Sequence, residues 1–219
     1  MQGPPIRISL TDDHLLLLQV LAARIEMQPD MNVVCMSTSG EDGLKHILES
    51  KPDVAVMDVE LPGRSAFDVA AEILQRALRT RILFLTGHLT DVFVEQAIRL
   101  KSAGYLLKGE PVEFLIDAIR KVASGETCYS RQVQERLDET APSRIRTLHS
   151  AHPLTDLSNR QLEVLKHLAR GESVKEVARS MHISLKSVDS HKYRIMHKLG
   201  IHDRVELARY AIREGLIVA

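Results

Sequence analysis

The sequence predicts an α/β fold, a doubly wound five-stranded parallel sheet, followed by a linker and a small all-α domain. Three observations carry that prediction. Up to residue 127 short apolar runs alternate with longer amphipathic segments, from 128 to 153 the chain turns polar and holds Pro142 and Pro153, and from 154 onward only helical periodicity remains. Five strands alternating with five helices need crossover connections, whose right-handedness covers both faces of a parallel sheet. A functional site in such a sheet lies at the carboxyl ends of the strands.

The strand runs are "IRISL", "VVCM", "VAVMD", "RILFLT" and "AGYLLK", each short, apolar and bounded by turn residues or charges. Helix-period segments fall between and after them, at 14 to 27, 41 to 50, 66 to 78, 90 to 101 and 111 to 124. After "VASGETCYS" the strand signal stops, which predicts a linker with a short helix around 131 to 139. Four short helices follow, ending near Arg170, His182, Leu199 and Arg213. Ser158 with Gln161, Ser173 with Glu176 and Asp203 with Glu206 have capping-box spacing or close to it, and Ser184 caps a further helix. Gly171, Gly200 and Gly215 stand as C-terminal stops. The expected domains are 1–127, a linker at 128–153, and 154–219.

The 219 residues carry no net charge, but the charge is unevenly divided. Residues 154 to 219 hold 12 Lys+Arg against 8 Asp+Glu, whereas the remainder holds 17 against 21. This division points to different partners for the two parts, with a polyanion for the second. Cys35 and Cys128 lie far apart without metal-ligand spacing, which argues against a zinc site or a disulfide framework and fits a reducing cytoplasm. No apolar run approaches the roughly 20 residues that span a bilayer, and the N-terminus lacks a signal pattern, so neither membrane insertion nor secretion is expected.

Chemistry-bearing residues fall at the strand ends. Asp12 and Asp13 follow the first strand, Asp58 ends the third, Thr86 the fourth and Lys108 the fifth. Each alone reads as a turn or capping residue, but their coincidence at one sheet edge does not. Three close carboxylates are tolerable around a cation, and oxygen-only ligation favours Mg²⁺. Metal, lysine and hydroxyl then stabilise the charge on a transferring phosphoryl group, with Asp58 the natural nucleophile.

"TDDH", "PDVAVMDVELPG", "LTGH" and "AGYLLKG" resemble, in order and over residues 5 to 127, the receiver domain of two-component response regulators, which has a flavodoxin-like fold. The resemblance implies that Asp12, Asp13, Asp58 and the backbone carbonyl of Glu60 bind Mg²⁺, and that Asp58 accepts phosphate from a sensor histidine kinase. It implies that Thr86 and Lys108 contact the phosphoryl oxygens and that Tyr105 is an aromatic switch turning inward with Thr86. No enzymatic activity is implied beyond self-phosphorylation and slow self-dephosphorylation. Ala66 and Leu61 depart from the common family pattern, which has glycine and methionine there. Glu60 and His88 occupy positions where the family tunes phosphate loss. The run Leu15 to Leu18 exceeds one buried stripe, and its surplus is expected to extend a docking face for the kinase.

"LSNRQLEVLKHLARGESVKEVARSMHISLKSVDSHKYRIMHKLGIHDRVELARYAI" resembles the LuxR-type helix-turn-helix domain of the NarL/FixJ branch over residues 154 to 217. Independently of the family, the segment predicts a helix, a turn at Ile183 and a second helix whose buried stripe is Val188, Ile195 and Leu199. The other face offers Lys186, Ser187, Asp189, Ser190, Lys192, Tyr193 and Arg194, with His191 at a family position and Lys198 near the end. These residues are expected to meet duplex DNA in the major groove, basic chains on phosphates and shorter ones on base edges. Asp189 either accepts from a cytosine amino group or pairs within the helix with Lys192 or Lys186. The absence of Trp argues against a base-stacking platform for single strands or RNA. A single small reader implies a homodimer on DNA.

The expected function is a phosphorylation-controlled, DNA-binding transcriptional regulator in which phosphate on Asp58 changes dimerisation or domain arrangement. Three alternatives stay open. A receiver working by partner contacts alone would lack the switch. A Mg²⁺-dependent phosphohydrolase would use Glu60 as its second acid, but no cap insertion for a substrate pocket is evident. An FMN protein would need a phosphate loop where "TDDH" presents negative charge.

Overall fold

Central strands of a parallel sheet are buried on both faces, and Val54–Met57 is buried at every position. The structure, a computed structural model, describes residues 4–76, 78–87, 89–139, 154 and 157–217. The chain divides into two compact units, Met1–Glu135 and Arg136–Ala219.

The first unit runs β1 (Ile6–Thr11), α1 (Leu15–Glu26), β2 (Met31–Ser37), α2 (Gly40–Ser50), β3 (Val54–Met57), α3 (Ala66–Gln75), β4 (Arg81–Thr86), α4 (Asp91–Arg99), β5 (Gly104–Leu107), α5 (Val112–Ser124) and β6 (Cys128–Tyr129), and α6 (Arg131–Glu139) then crosses its boundary. The strands are all parallel in the order β2-β1-β3-β4-β5-β6. On one face Ile8, Leu10, Val56 and Leu83 pack with Leu18 and Ile25 of α1 and with Ile119 and Val122 of α5. Phe67 of α3 lies against Phe84 and Phe93, with ring centroids 5.0 and 5.8 Å away. The strand order reverses at β1, which has β2 on one side and β3 on the other, so the crevice at its carboxyl end is the topological switch point.

A sixth strand is the main departure from expectation. Cys128 and Tyr129, expected at the start of the linker, pair with Gly104 and Tyr105 and extend the sheet by one strand. Two residues carry no periodicity, which is why the pattern does not reveal them. The signal that was available is Gly104, where an added Cβ would stand 2.1 Å from the Cys128 carbonyl oxygen, so the strands meet this closely only at a glycine. The short helix expected around 131 to 139 is present as α6. Residues 140 to 153, with Pro142 and Pro153, lie outside the described residues.

The second unit contains α7 (Asn159–Ala169), α8 (Val174–Ser180), α9 (Leu185–Leu199) and α10 (Arg204–Arg213), with no strand among its described residues. Ser158 and Ser173 complete reciprocal capping boxes with Gln161 and Glu176. Asp203 accepts from the Glu206 N–H, but the Glu206 carboxylate accepts from His202, one residue before the cap. Gly171, Gly200 and Gly215 have positive φ, as their placement as stops requires, and His182 joins them with φ +51° in the turn before α9. Val164, Leu165, Val177, Val188, Ile195 and Ala211 are fully buried. Arg160 braces the turn by donating to the Met181 carbonyl (2.6 Å) and pairing with Glu163 (3.0 Å). No helix among the described residues is long and apolar enough to cross a membrane.

Candidate functional site

The backbone ladder continues past the strand ends and sets the site residues side by side. Thr11 pairs with Met57, and the Asp58 N–H then donates to the Thr11 carbonyl (2.8 Å), which brings Asp58 next to Asp12. Thr86 pairs with Leu107, and the Lys108 N–H donates back to the Thr86 carbonyl (2.8 Å). Lys108 reaches across from β5 to place Nζ 2.6 Å from Asp12 Oδ2 and 2.7 Å from Asp58 Oδ2. Both aspartate side chains are buried, at 5% and 4% exposure, so they share one ammonium group in a medium that screens poorly.

Burial pushes the Asp58 carboxyl above the usual carboxylate range; the Lys108 hydrogen bond and charge oppose the rise, and the Asp12 charge adds to it. For Lys108 burial acts downward, but its bonds to Asp12 and Asp58 outweigh that effect and hold the ammonium above its ordinary value. Asp58 Oδ1 also accepts from the Glu60 N–H at 3.3 Å.

Asp13 is more exposed and faces His14, whose Nδ1 lies 2.7 Å from Asp13 Oδ1 and 3.1 Å from Asp12 Oδ1. The hydrogen bond to Asp12 and the Asp13 charge raise the His14 pKa. One ligand atom from each of Asp12, Asp13, His14 and Asp58 falls within 4.8 Å of the others, a grouping able to hold a metal ion. His14 is the member that sequence reasoning missed, although its place directly after the acid pair was the signal.

Thr86 and Tyr105 are both fully buried, and the Tyr105 ring packs 6.3 Å from that of Phe84. Tyr105 is therefore turned inward, not half-buried as an ordinary strand aromatic would be. His88 lies outside the described residues. Of the leucine run, Leu18 is core, whereas Leu15 and Leu16 are 57% and 75% exposed.

In the second unit α9 presents Lys186, Asp189, Ser190, Tyr193 and Arg194 to the surface, with Ser187, His191 and Lys192 half-buried. Val188 and Ile195 are buried as expected, and Leu199 is partly so. Among the described residues no ion pair joins Asp189 to Lys186 or Lys192, so of the two alternatives the intrahelical pair is not present. Asp189 is exposed. Lys198 donates to Gln161 Oε1 (3.0 Å), and Ser187 donates its N–H to the Ser184 cap. Burial lowers the His191 pKa, with Arg160 and Arg194 adding to the effect, and its Nδ1 is buried with no hydrogen-bond partner. The exposed ring of His197, stacked 6.3 Å from Tyr193, belongs to the same surface and was not anticipated.

Residues 8–120 match the response regulator receiver domain, and residues 155–211 match the LuxR family of bacterial regulatory proteins. The chain is 33% identical over 215 residues to the oxygen regulatory protein NreC of Staphylococcus aureus, covering 97% of this chain and 99% of that protein. The chain is a NarL/FixJ-type response regulator. The response regulator NarL receiver of Mycobacterium tuberculosis aligns at 30% identity and a TM-score of 0.55, over 57% of this chain and all of that one. RcsB of Salmonella typhimurium shares the fold along 97% of this chain and 100% of its own, at 21% identity and a TM-score of 0.73. As a response regulator the protein joins a phosphorylation-controlled receiver to a LuxR-type helix-turn-helix domain, an arrangement of transcriptional regulation in which the receiver catalyses only its own phosphorylation chemistry.

The raised Asp58 pKa has a stability consequence. A carboxyl that binds its proton more tightly folded than unfolded costs stability as pH rises through the interval between its two pKa values, and the cost persists above it. In chelator at neutral pH, Asp58→Asn should therefore be about 1 kcal/mol more stable than wild type in urea denaturation of the full chain, with the gap closing below about pH 4. Equal stability at neutral pH would show that Lys108 fully offsets the buried charge.

Proposed function

We propose that Asp58 is the phosphoacceptor of a DNA-binding transcriptional regulator, with the receiver at residues 1–127, a linker at 128–153 whose first residues form β6, and the DNA reader at 154–219. The observation that supports it most is Lys108 held against both Asp12 and Asp58 at the switch point of the sheet. Oxygen donors dominate the acidic grouping, which fits Mg²⁺; Asp12, Asp13, Asp58 and the Glu60 backbone carbonyl would hold it, with His14 orienting the two leading acids. When bound, Mg²⁺ offsets the charge of the carboxylates and of the phosphoryl oxygens.

The protein's own groups divide the remaining work. A desolvated Asp58 carboxylate oxygen forms the new P–O bond as the P–N bond of the kinase phosphohistidine breaks and its imidazole leaves. The Lys108 ammonium and the Thr86 hydroxyl stand at neighbouring strand ends to receive the phosphoryl oxygens. Thr86 and Tyr105, on adjacent strands, then report the new charge to the surface of α4 and β5.

A sensor histidine kinase is the proposed donor. Leu15, Leu16 and Val20 leave an apolar face on α1, beside a cleft lined by Leu17, Leu21, Lys108, Pro111 and Phe114. The proposed DNA surface is the exposed face of α9. In this reading Lys186, Lys192 and Arg194 meet phosphates, Ser187, Asp189, Ser190 and Tyr193 meet the groove, and His191 packs beneath them; the exposure of Lys186, Asp189, Ser190, Tyr193 and Arg194 supports it. A phosphate contact from Lys198 competes with its bond to Gln161. One such helix is a small reader, so a homodimer is proposed on DNA.

Acetyl phosphate with Mg²⁺ should label Asp58 and lower the DNA Kd by about tenfold, a response absent from Asp58→Asn. An unchanged Kd in protein shown by mass to be phosphorylated would contradict the switch. Leu16→Glu should slow phosphotransfer from the sensor kinase by about tenfold and leave acetyl phosphate labelling intact. Unaltered transfer would remove α1 from the docking face.

A further inference from the structure

Ser130 lies between β6 and α6 and is fully buried. Its N–H donates to the Tyr105 carbonyl (3.0 Å), and its hydroxyl accepts from the Leu107 N–H (2.9 Å) while donating to a Glu110 carboxylate oxygen (2.5 Å). The hydroxyl thus brackets Lys108, with one partner immediately before the lysine and the other two residues after it. The Ser130 carbonyl accepts from the N–H groups of Val133 and Gln134 (2.9 Å each), so the first turn of α6 is built on the same residue. Val133, in that turn, is fully buried. A charged acceptor makes the Ser130 to Glu110 bond stronger than a neutral pair.

We propose that Ser130 is a positioning residue that passes the state of the Asp58 and Lys108 pair to α6, the covalent start of the path toward the second unit. The inference rests on the phosphoryl reading of Asp58. While Lys108 is drawn to Asp12 and Asp58, residues 107 to 110 hold the Ser130 hydroxyl and α6 stays docked. When Lys108 is drawn instead to a phosphoryl group, the loop carrying it shifts. Only four residues separate β5 from α5, and one is Pro111, so the shift is not absorbed locally and reaches the Ser130 bracket. Ser130 touches neither the nucleophile nor the lysine ammonium, so it acts through the loop alone.

The test is hydrogen exchange of the 131–139 amides in the full chain, with and without beryllofluoride and Mg²⁺, with bound fluoride followed by ¹⁹F NMR. In wild type, beryllofluoride should speed exchange of these amides at least about threefold; in Ser130→Ala exchange should already be about tenfold faster and should no longer respond, although fluoride still binds. Ser130→Thr should restore the response, which a merely structural loss would not explain. Glu110→Ala keeps the Leu107 bond and should give the same loss of response if Ser130→Ala folds poorly. Bound fluoride with an unaltered α6 response in Ser130→Ala and Glu110→Ala would overturn the inference alone. Absence of bound fluoride in wild type would overturn the phosphoryl reading and the inference with it.

Discussion

The ammonium group of Lys108 lets two buried carboxylates, Asp12 and Asp58, stand side by side at the sheet edge. Without a cation their mutual repulsion in a weakly screened site would oppose the β1 to β3 register that places them together. That register is fixed by backbone bonds, so charge compensation falls to the side chains. The same lysine anchors its own loop through the Thr86 carbonyl, and Ser130 grips that loop from behind. A change of charge at Asp58 therefore acts on one residue whose supports run to β4, β5 and α6.

The second unit rests on a different economy of contacts. Its helices are short, and end-capping matters correspondingly more: Ser158, Ser173, Ser184 and Asp203 each accept an N–H of the first turn. Arg160 and Arg204 spend their guanidinium groups on the carbonyls of Met181, Leu168 and Glu172, bracing the turns. On α9 Lys198 is likewise engaged, with Gln161, whereas Lys186 and Arg194 are exposed. This explains why a net positive charge in this part of the sequence marks a surface while several individual cations within it are structural.

Much of this was legible in the residues. Strands such as Arg81–Thr86 announce themselves by continuous apolar character, and serine and glycine placement predicts the four late helices because capping is a local interaction. The strand-end acids, hydroxyl and lysine were legible as a set because a parallel topology leaves their residues one place to converge. What escaped depends on contacts between distant segments. β6 needs the space above Gly104, and the Ser130 junction needs β6. The role of Lys108 as a bridge between Asp12 and Asp58 was not predicted from spacing, since side-chain reach is set by the register and not by sequence distance. Asp189 failed as an intrahelical partner because spacing permits such a pair without enforcing it in water.

If the Lys108 ammonium is the cation that holds the acid pair together, it competes with a divalent ion for the same oxygens. Titration calorimetry of Mg²⁺ into wild type and Lys108→Met measures that competition directly. The account predicts Mg²⁺ binding about tenfold tighter in Lys108→Met, because the carboxylates lose their internal counter-charge. Equal or weaker binding in the variant would contradict it.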